Sequence, residues 1–254
     1  MVTQHHSPAH QDEPTVILTR PLEQSRRFAD ELAARFGPGL AVFVSPLSHA
    51  EFLAAPVPGG VRTLVFTSEN GVDAFAARTP DRSPDVICVG DRTAARARAA
   101  GFSRVATGPG DAGGLSASLL SRPPASPVLV VRGREQAHDI AADLRSAGIR
   151  AESVCLYRME DDPPSDEALA AAAGPAPVIL PLFSPNAASR AMVLRQPGSR
   201  LLVAALSPAV ARAAEGLAPI AVEVAERPDS GSMIDAIGRL LAGRGRLEDR
   251  ARRH

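Results

Sequence analysis

The stretch Thr63-Leu64-Val65-Phe66-Thr67-Ser68-Glu69-Asn70-Gly71 decides how this chain folds. An apolar run of strand type leads into Ser68, a residue type that caps helix N-termini, and a helical pattern follows. The same plan returns as Ser184-Pro185-Asn186, 116 positions later (184 − 68), and Thr93-Ala94-Ala95-Arg96-Ala97 returns at that offset as Ala209-Val210-Ala211-Arg212-Ala213. Two such copies indicate a duplication or two similar domains, because a solenoid needs at least three short repeats.

Short apolar runs alternate with helical patterns over most of the chain, which is typical of parallel sheets covered by helices. The sequence therefore predicts an α/β fold with two similar domains. The predicted strands are 15–20, 40–44, 63–67, 86–89, 104–107, 128–132, 151–156, 178–182, 201–206 and 221–224. The predicted helices are 22–36, 71–77, 91–100, 114–120, 135–147, 185–195, 208–215 and 232–241.

Two proline-bearing segments, 45–60 and 160–165, interrupt the alternation and are typical of connections rather than packed elements. If the chain crosses between domains there, one domain is continuous and the other is built from both ends. The predicted organisation is a disordered leader at 1–14, a discontinuous α/β domain at 15–46 plus 160–242, an α/β domain at 47–159 and a frayed basic tail at 243–254. A cleft between two domains is a favoured site for small molecules.

Composition excludes several functional classes. Lys+Arg and Asp+Glu balance at 28 each, so no global field recruits nucleic acid or an anionic membrane. All 28 of the Lys+Arg residues are arginine, so the chain has no lysine. This excludes a Schiff-base lysine and the lysine of a phosphate-binding loop. No apolar run approaches the ~18 residues that span a bilayer, and the first residues lack the apolar core of a signal peptide. We expect a cytoplasmic protein whose Cys88 and Cys155 are reduced thiols.

Four polar sites precede predicted helices and form two pairs. Ser68 and Asn70 correspond to Ser184, Pro185 and Asn186, whereas Gly90 corresponds to Ser207. Backbone N–H groups at such helix starts bind anions, so the paired sites predict a cleft for a ligand with several carboxylates. Plain helix capping is the alternative interpretation of every one of them.

Tyr157 is the only tyrosine, and the chain contains no tryptophan. It follows a predicted strand just before the second connection, which places a phenol at the domain junction. An ordinary strand-end residue is the alternative. No His, Cys or carboxylate spacing predicts a metal site, and no Ser/His/Asp set can be assembled.

The segment Gly108-Pro109-Gly110-Asp111-Ala112-Gly113 matches the dinucleotide fingerprint and follows a strand. It comes after a third consecutive βα unit rather than at the first turn, and the next strand ends in Arg132 instead of an acidic residue. An NADP-dependent reductase that uses Arg132 is therefore kept only as a weak alternative.

Taken in order, the motifs resemble those of the uroporphyrinogen-III synthase family. The matching stretches are Leu18-Thr19-Arg20-Pro21, Val65-Phe66-Thr67-Ser68-Glu69-Asn70-Gly71-Val72, Val89-Gly90-Asp91-Arg92-Thr93-Ala94, Val131-Arg132-Gly133, Val154-Cys155-Leu156-Tyr157-Arg158, Phe183-Ser184-Pro185 and Val224-Ala225-Glu226-Arg227-Pro228. Their order and spacing, over about 15–241, carry the resemblance.

The resemblance implies two α/β domains joined by a two-stranded connector, with a cleft between them, no cofactor and no metal. It implies a monomer that closes hydroxymethylbilane, a linear tetrapyrrole with eight carboxylates, into uroporphyrinogen III with loss of water and inversion of ring D. That reaction belongs to the biosynthesis of haem, sirohaem, cobalamin and chlorophyll.

By the same resemblance, Tyr157 and Thr93 are the expected catalytic residues, with Tyr157 assisting departure of the substrate hydroxyl. The expected substrate-binding residues are Arg20, Ser68, Asn70, Gly90, Arg132, Gly133, Ser184, Pro185, Asn186 and Ser207. Where relatives often carry Gly-Pro-Thr-Thr-Ala, this chain has Ser207-Pro208-Ala209-Val210-Ala211, which leaves Ser207 to replace the missing hydroxyls. Those losses favour the runner-up, a non-catalytic two-domain sensor of small anions.

Overall fold

The computed structural model describes residues 13–136 and 138–243. Its contacts divide the chain into two units. Unit 1 takes the described residues up to His49 and from Asp161 onward, and unit 2 is Ala50–Glu160. The predicted leader and tail fall mostly outside the described residues.

The elements alternate between strand and helix along the chain. The strands are β1 Thr15–Leu18, β2 Ala41–Val44, β3 Ser48–Phe52, β4 Thr63–Phe66, β5 Asp85–Cys88, β6 Val105–Thr107, β7 Val128–Gly133, β8 Ala151–Asp161, β9 Val178–Leu182, β10 Leu201–Ala205 and β11 Ala221–Val224. The α-helices are α1 Leu22–Phe36, α2 Glu69–Arg78, α3 Asp91–Ala99, α4 Ala112–Ser121, α5 Ile140–Ser146, α6 Asp166–Ala173, α7 Pro185–Arg190, α8 Pro208–Ala213 and α9 Ser230–Ala242, with 3-10 turns at Ala191–Leu194 and Glu215–Leu217.

Unit 1 is built on a five-stranded sheet in the order β11-β10-β9-β1-β2, and every neighbouring pair is parallel. β9 and β10 are buried along their whole length, which explains why they are continuous apolar runs. Alternate residues of β1 face opposite layers: Val16 packs in the cluster that holds α1 and α9, and Ile17 packs in the one that holds α6, α7 and α8.

Unit 2 is built on a six-stranded sheet in the order β3-β8-β7-β4-β5-β6. The strands from β8 to β6 are parallel. One face packs against α2 and α3 around Phe66, and the other packs against α4 and α5 around Val65. The predicted α/β class, with parallel sheets flanked by helices, is confirmed.

β3 and β8 carry the chain between the units. They run antiparallel, since the Leu53 N–H donates to the Leu156 carbonyl at 2.8 Å and the Asp162 N–H donates to the Leu47 carbonyl at 3.0 Å. Segments 45–60 and 160–165 do connect the units, but the expectation that they are not packed elements is wrong at β3 and at the end of β8. The prolines of 45–60 flank β3 instead of interrupting it, so they leave its backbone free to pair.

One helix was not predicted, and the bounds of two others need correction. α6 was not predicted, although Ser165 caps it and its first turn holds Asp166 and Glu167. α5 begins at Ile140 rather than 135, because the Asp139 carboxylate accepts the Ala142 N–H and fixes the helix start. α7 ends at Arg190 and a 3-10 turn replaces the predicted last turn.

Phe66 lies at the centre of the core of unit 2. Its side chain is fully buried, and its ring centroid lies 5.8 Å from that of Phe75 and 5.9 Å from that of Phe102. We expect Phe66→Ala to lower the free energy of unfolding by about 3–5 kcal/mol, through lost burial and the cavity left behind. Urea denaturation followed by the fluorescence of Tyr157, which packs in the same cluster, measures the loss. Phe52→Ala is the control: its side chain is 45% exposed, so its loss should stay within ~0.5 kcal/mol.

Candidate functional site

Each sheet has one point at which the order of its strands reverses. In unit 2 the chain adds β5 and β6 on one side of β4 and then β7 and β8 on the other, so the reversal lies between β4 and β7. In unit 1 it lies between β1 and β9 for the same reason. In open parallel sheets, ligands bind outside the carboxyl ends of the strands at such a point. A ligand site is therefore expected where β4 and β7 end in unit 2 and where β1 and β9 end in unit 1.

A β-bulge places Tyr157 at the carboxyl edge of the sheet of unit 2. Arg132 pairs with Cys155, but the next residue of β7, Gly133, pairs with Tyr157, so Leu156 is an extra residue in β8. The bulge makes two successive residues of β8 buried, Leu156 and Tyr157, instead of one in two. Tyr157 therefore lies buried at the carboxyl edge of the sheet and is only 9% exposed.

Ser68 contacts this phenol from the end of β4. Its Oγ lies 2.7 Å from the Tyr157 hydroxyl oxygen. Ser68 is also the N-cap of α2, where its Oγ accepts the Gly71 N–H at 3.2 Å. Helix capping and contact with Tyr157 are thus two functions of one hydroxyl.

Gly133 is the position that lets the phenol lie where it does. A Cβ built there would lie 2.8 Å from two carbons of the Tyr157 ring, closer than such atoms ever approach. Burial raises the pKa of Tyr157 above its usual value, while the Ser68 hydroxyl and the Gly133 backbone, which can donate to the phenolate, partly oppose that rise. The phenol therefore stays protonated at neutral pH.

The other predicted residues of unit 2 lie around this contact. Asn70 stands in the first turn of α2, with its Nδ2 3.5 Å from the Met159 sulfur. Gly90 follows β5 and is the N-cap of α3, without a side-chain bond, and Thr93 is buried in the first turn of that helix. Arg132 bends back on its own strand, donating to the Gly133 carbonyl at 3.0 Å, while its buried Nε finds no partner within the described part of the chain.

The remaining predicted residues belong to unit 1. Arg20 follows β1, and its guanidinium carbon lies 4.1 Å from the centroid of the Phe183 ring, which follows β9. Ser184 caps α7, with Pro185 and Asn186 in its first turn, and Ser207 caps α8. The capping alternative is thus confirmed for Ser184 and Ser207, as it is for Ser68.

Two residues at the edge of unit 1 were not among the predicted site residues. Phe183 provides the ring on which Arg20 stacks. Thr19 is 5% exposed, and its hydroxyl has no hydrogen-bond partner among the residues that the structure describes. A buried hydroxyl without a partner is costly, which makes this one a candidate for contact with a ligand. The available signal was the position of Thr19 directly after a buried strand, beside Arg20.

The glycine-rich segment 108–113 has a packing explanation. It follows the edge strand β6 and not the reversal point of the sheet. A Cβ at Gly108 would lie 2.8 Å from a methyl carbon of Leu115 and 2.9 Å from the Cys88 carbonyl oxygen. Close approach of the chain therefore accounts for this glycine without a nucleotide.

Other features of the described residues lie away from these edges. A cavity of about 310 Å³ in unit 2 is lined by residues such as Arg78 and Thr79, at the opposite end of α2 from Ser68. Within 13–136 and 138–243, no group of three His, Cys, Asp or Glu side chains is placed to hold a metal ion. None of the helices in these ranges has the length and apolarity needed to cross a membrane.

These features define a class: an α/β protein of two units, each with a parallel sheet whose reversal edge carries polar side chains and helix starts. A uroporphyrinogen-III synthase HemD family model matches residues 29–235. The chain belongs to the uroporphyrinogen-III synthase family.

A solved structure shows the same fold. The uroporphyrinogen-III synthetase of Helicobacter pylori 26695 is 13% identical, with a TM-score of 0.64 over 89% of this chain and 99% of its own. A mutant uroporphyrinogen III synthase from the extremely thermophilic bacterium Thermus thermophilus is 20% identical, with a TM-score of 0.49 over 90% of this chain and 99% of its own. No curated protein sequence matches the chain.

Since Tyr157 is the only tyrosine and there is no tryptophan, its ionisation can be followed alone by ultraviolet absorbance. We expect its pKa to lie above the ordinary 10.0, and Ser68→Ala to raise it further, because the variant loses the hydroxyl that can turn to donate to the phenolate. The phenol's contribution to folding stability is full below pH 10 and is lost as the pH rises through the raised pKa. A titration midpoint at or below 10 would contradict the burial described here.

Gly133→Ala tests the close approach of the ring. The new methyl group must displace the phenol or the strand, so we expect a loss of about 1–3 kcal/mol in the free energy of unfolding. We also expect the pKa of Tyr157 to fall back toward its ordinary value as the ring becomes exposed. Gly59→Ala is the matched control, since a Cβ there meets nothing within 4 Å. Equal titration curves for the two variants would show that the ring does not need the space above Gly133.

Proposed function

We propose that this chain closes hydroxymethylbilane into uroporphyrinogen III, reversing ring D and releasing water. The observation that carries the proposal is the family match over residues 29–235. The family makes the chain a cyclising lyase of tetrapyrrole biosynthesis. The reversal edges of the two sheets, with the residues described above, are the proposed sites of substrate contact.

Tyr157 is the proposed source of the proton that the departing hydroxyl takes up. Departure of the terminal hydroxyl needs a proton, because hydroxide is a poor leaving group. The Tyr157 phenol is held by Ser68 and Gly133, and burial raises its pKa, so it enters the reaction protonated. Loss of water leaves an azafulvene, which the substituted carbon of the last ring attacks. The resulting spiro intermediate fragments and recloses with that ring reversed.

The second proposed task is to hold the bilane in the inverting geometry, because unassisted closure joins the ends without inversion. The substrate's carboxylates need donors, and arginine suits them through paired N–H groups. Arg20, stacked on Phe183 beside the unsatisfied hydroxyl of Thr19, is the proposed anchor in unit 1. Thr93 remains the second proposed catalytic residue. Asn70, Gly90, Arg132, Gly133, Ser184, Pro185, Asn186 and Ser207 remain proposed contacts, some through their backbone N–H groups.

Further properties belong to the same proposal. We propose a monomer of two domains that correspond to the two units, without a cofactor or metal, acting in the cytoplasm on a small molecule. The balance of 28 basic and 28 acidic residues supports the absence of a nucleic-acid partner.

Two alternatives are less well supported. A non-catalytic anion sensor would need Tyr157 only as a packing residue, yet its hydroxyl is hydrogen-bonded at a sheet edge. A reductase would need 108–113 at the reversal point, whereas this segment follows an edge strand. The family match favours the synthase over both.

The decisive assay adds the purified chain to freshly generated hydroxymethylbilane, oxidises the products and separates the uroporphyrin isomers by chromatography. We expect mainly the type III isomer. Tyr157→Phe should lower the rate by about 10²–10⁴-fold, the usual contribution of a positioned acid, with unchanged folding. Only type I isomer, at the rate of a sample without protein, would refute the proposed function, and a fully active Tyr157→Phe would remove Tyr157 from the mechanism.

A further inference from the structure

The geometry points to a two-hydroxyl relay, in which Ser68 donates its proton to the departing hydroxyl and Tyr157 in turn donates a proton to Ser68. This inference rests on the proposed function. It makes Ser68 the residue that touches the leaving oxygen and Tyr157 the proton source.

The direction of the Ser68–Tyr157 hydrogen bond follows from the acceptors near the phenol. Among the described residues, Ser68 Oγ is the one hydrogen-bond partner of the phenol oxygen. If that oxygen accepted the Ser68 hydroxyl proton, the phenol's own proton would be buried without an acceptor, which proteins avoid. A phenol is also a stronger acid than an aliphatic alcohol. Tyr157 is therefore the donor and Ser68 the acceptor across their 2.7 Å contact.

The hydrogen bonds that Ser68 accepts leave its own proton available. A hydroxyl oxygen has two lone pairs and one proton. The Gly71 N–H occupies one lone pair at 3.2 Å, and the Tyr157 hydroxyl occupies the other. None of the described residues accepts the remaining hydrogen of Ser68, so it is available to an acceptor on a ligand.

Exposure gives the same order of contact. The Tyr157 side chain is enclosed by the core cluster of Phe66 and by the end of β7, whereas Ser68 is only partly buried. Ser68 is thus the more exposed of the two residues, which agrees with the order in which the relay has them meet a ligand.

In the relay, the bond between the terminal carbon of the bilane and its hydroxyl oxygen breaks, and the electron pair leaves with that oxygen. The Ser68 proton moves to the departing oxygen, which leaves as water, while the Tyr157 proton moves to Ser68 Oγ. The Gly133 backbone favours the phenolate so formed. The proton that the attacking ring releases when the macrocycle closes restores Tyr157, so the protein ends unchanged.

The second copy of the motif shows what the relay adds to capping. Ser184 has the same backbone angles as Ser68, φ −157° and ψ 159°, and its Oγ accepts the Ala187 N–H at 3.1 Å. Since the sequence holds one tyrosine, only Ser68 has a phenol behind it. Capping is thus common to both units, whereas the relay belongs to unit 2.

Single-turnover rates on hydroxymethylbilane test the relay. We expect Ser68→Ala to slow ring closure about 100-fold or more, as Tyr157→Phe does, and the double variant to be no slower than either. Ser68→Thr keeps a hydroxyl and should stay within about tenfold of the parent chain. Ser165→Ala is the control: Ser165 caps α6 by accepting the Ala168 N–H at 3.2 Å, so it matches the capping loss alone and should retain the parent rate.

A measurement on the unaltered protein keeps the test independent of folding of the variants. Because two protons move in one step, the single-turnover rate should depend on the deuterium fraction of the solvent along a curve. A straight line would overturn the relay, as would Ser68→Ala at the parent rate beside a slow Tyr157→Phe, or losses that multiply in the double variant. Failure of the proposed function is distinct, since the parent chain would then yield only the type I isomer.

Discussion

The absence of a side chain at Gly133 is the constraint on which the edge of unit 2 depends. With a Cβ 2.8 Å from the ring, the Tyr157 phenol could not lie across the end of β7. From that position it spans from β8 to Ser68 at the end of β4, two strands away, and so joins the strand edge to the cap of α2. The bulge in β8, the glycine at the end of β7 and the α2 cap at the end of β4 together set one hydrogen bond of 2.7 Å.

Much of the fold could be predicted from periodicity. β9 and β10 are continuous apolar runs because both faces of their sheet are covered, and this pattern is visible without a structure. β3 was missed for the opposite reason: Ser48–Phe52 is short and largely polar, and its pairing with β8 joins segments more than a hundred residues apart. Local patterns carry no information about such a partner. α6 is different, since its cap at Ser165 and its acidic first turn were signals that the sequence contained.

The site residues could be predicted singly but not their contacts. Ser68 indicated a helix start, and Tyr157 stood out as the only tyrosine. Their hydrogen bond spans 89 positions and depends on the register of β8. One residue fewer in that strand would turn the phenol to the other face, and no sequence pattern reveals a bulge of this kind. The environment of Thr19 was hidden likewise, because a missing partner is a property of packing alone.

The path of the chain through the two units has a consequence for its synthesis on the ribosome. Unit 2 is a single continuous segment, Ala50–Glu160, so all the strands that pair within it have been synthesised once Glu160 has emerged. Unit 1 cannot be completed then, because β1 lies between β2 and β9, and β9 begins at Val178. Domains generally fold as units during synthesis. β1, the earliest of the described strands, therefore gains its second neighbour only after unit 2 has been made, and until then its open edge is a place where a nascent chain can be captured by a chaperone or by another chain.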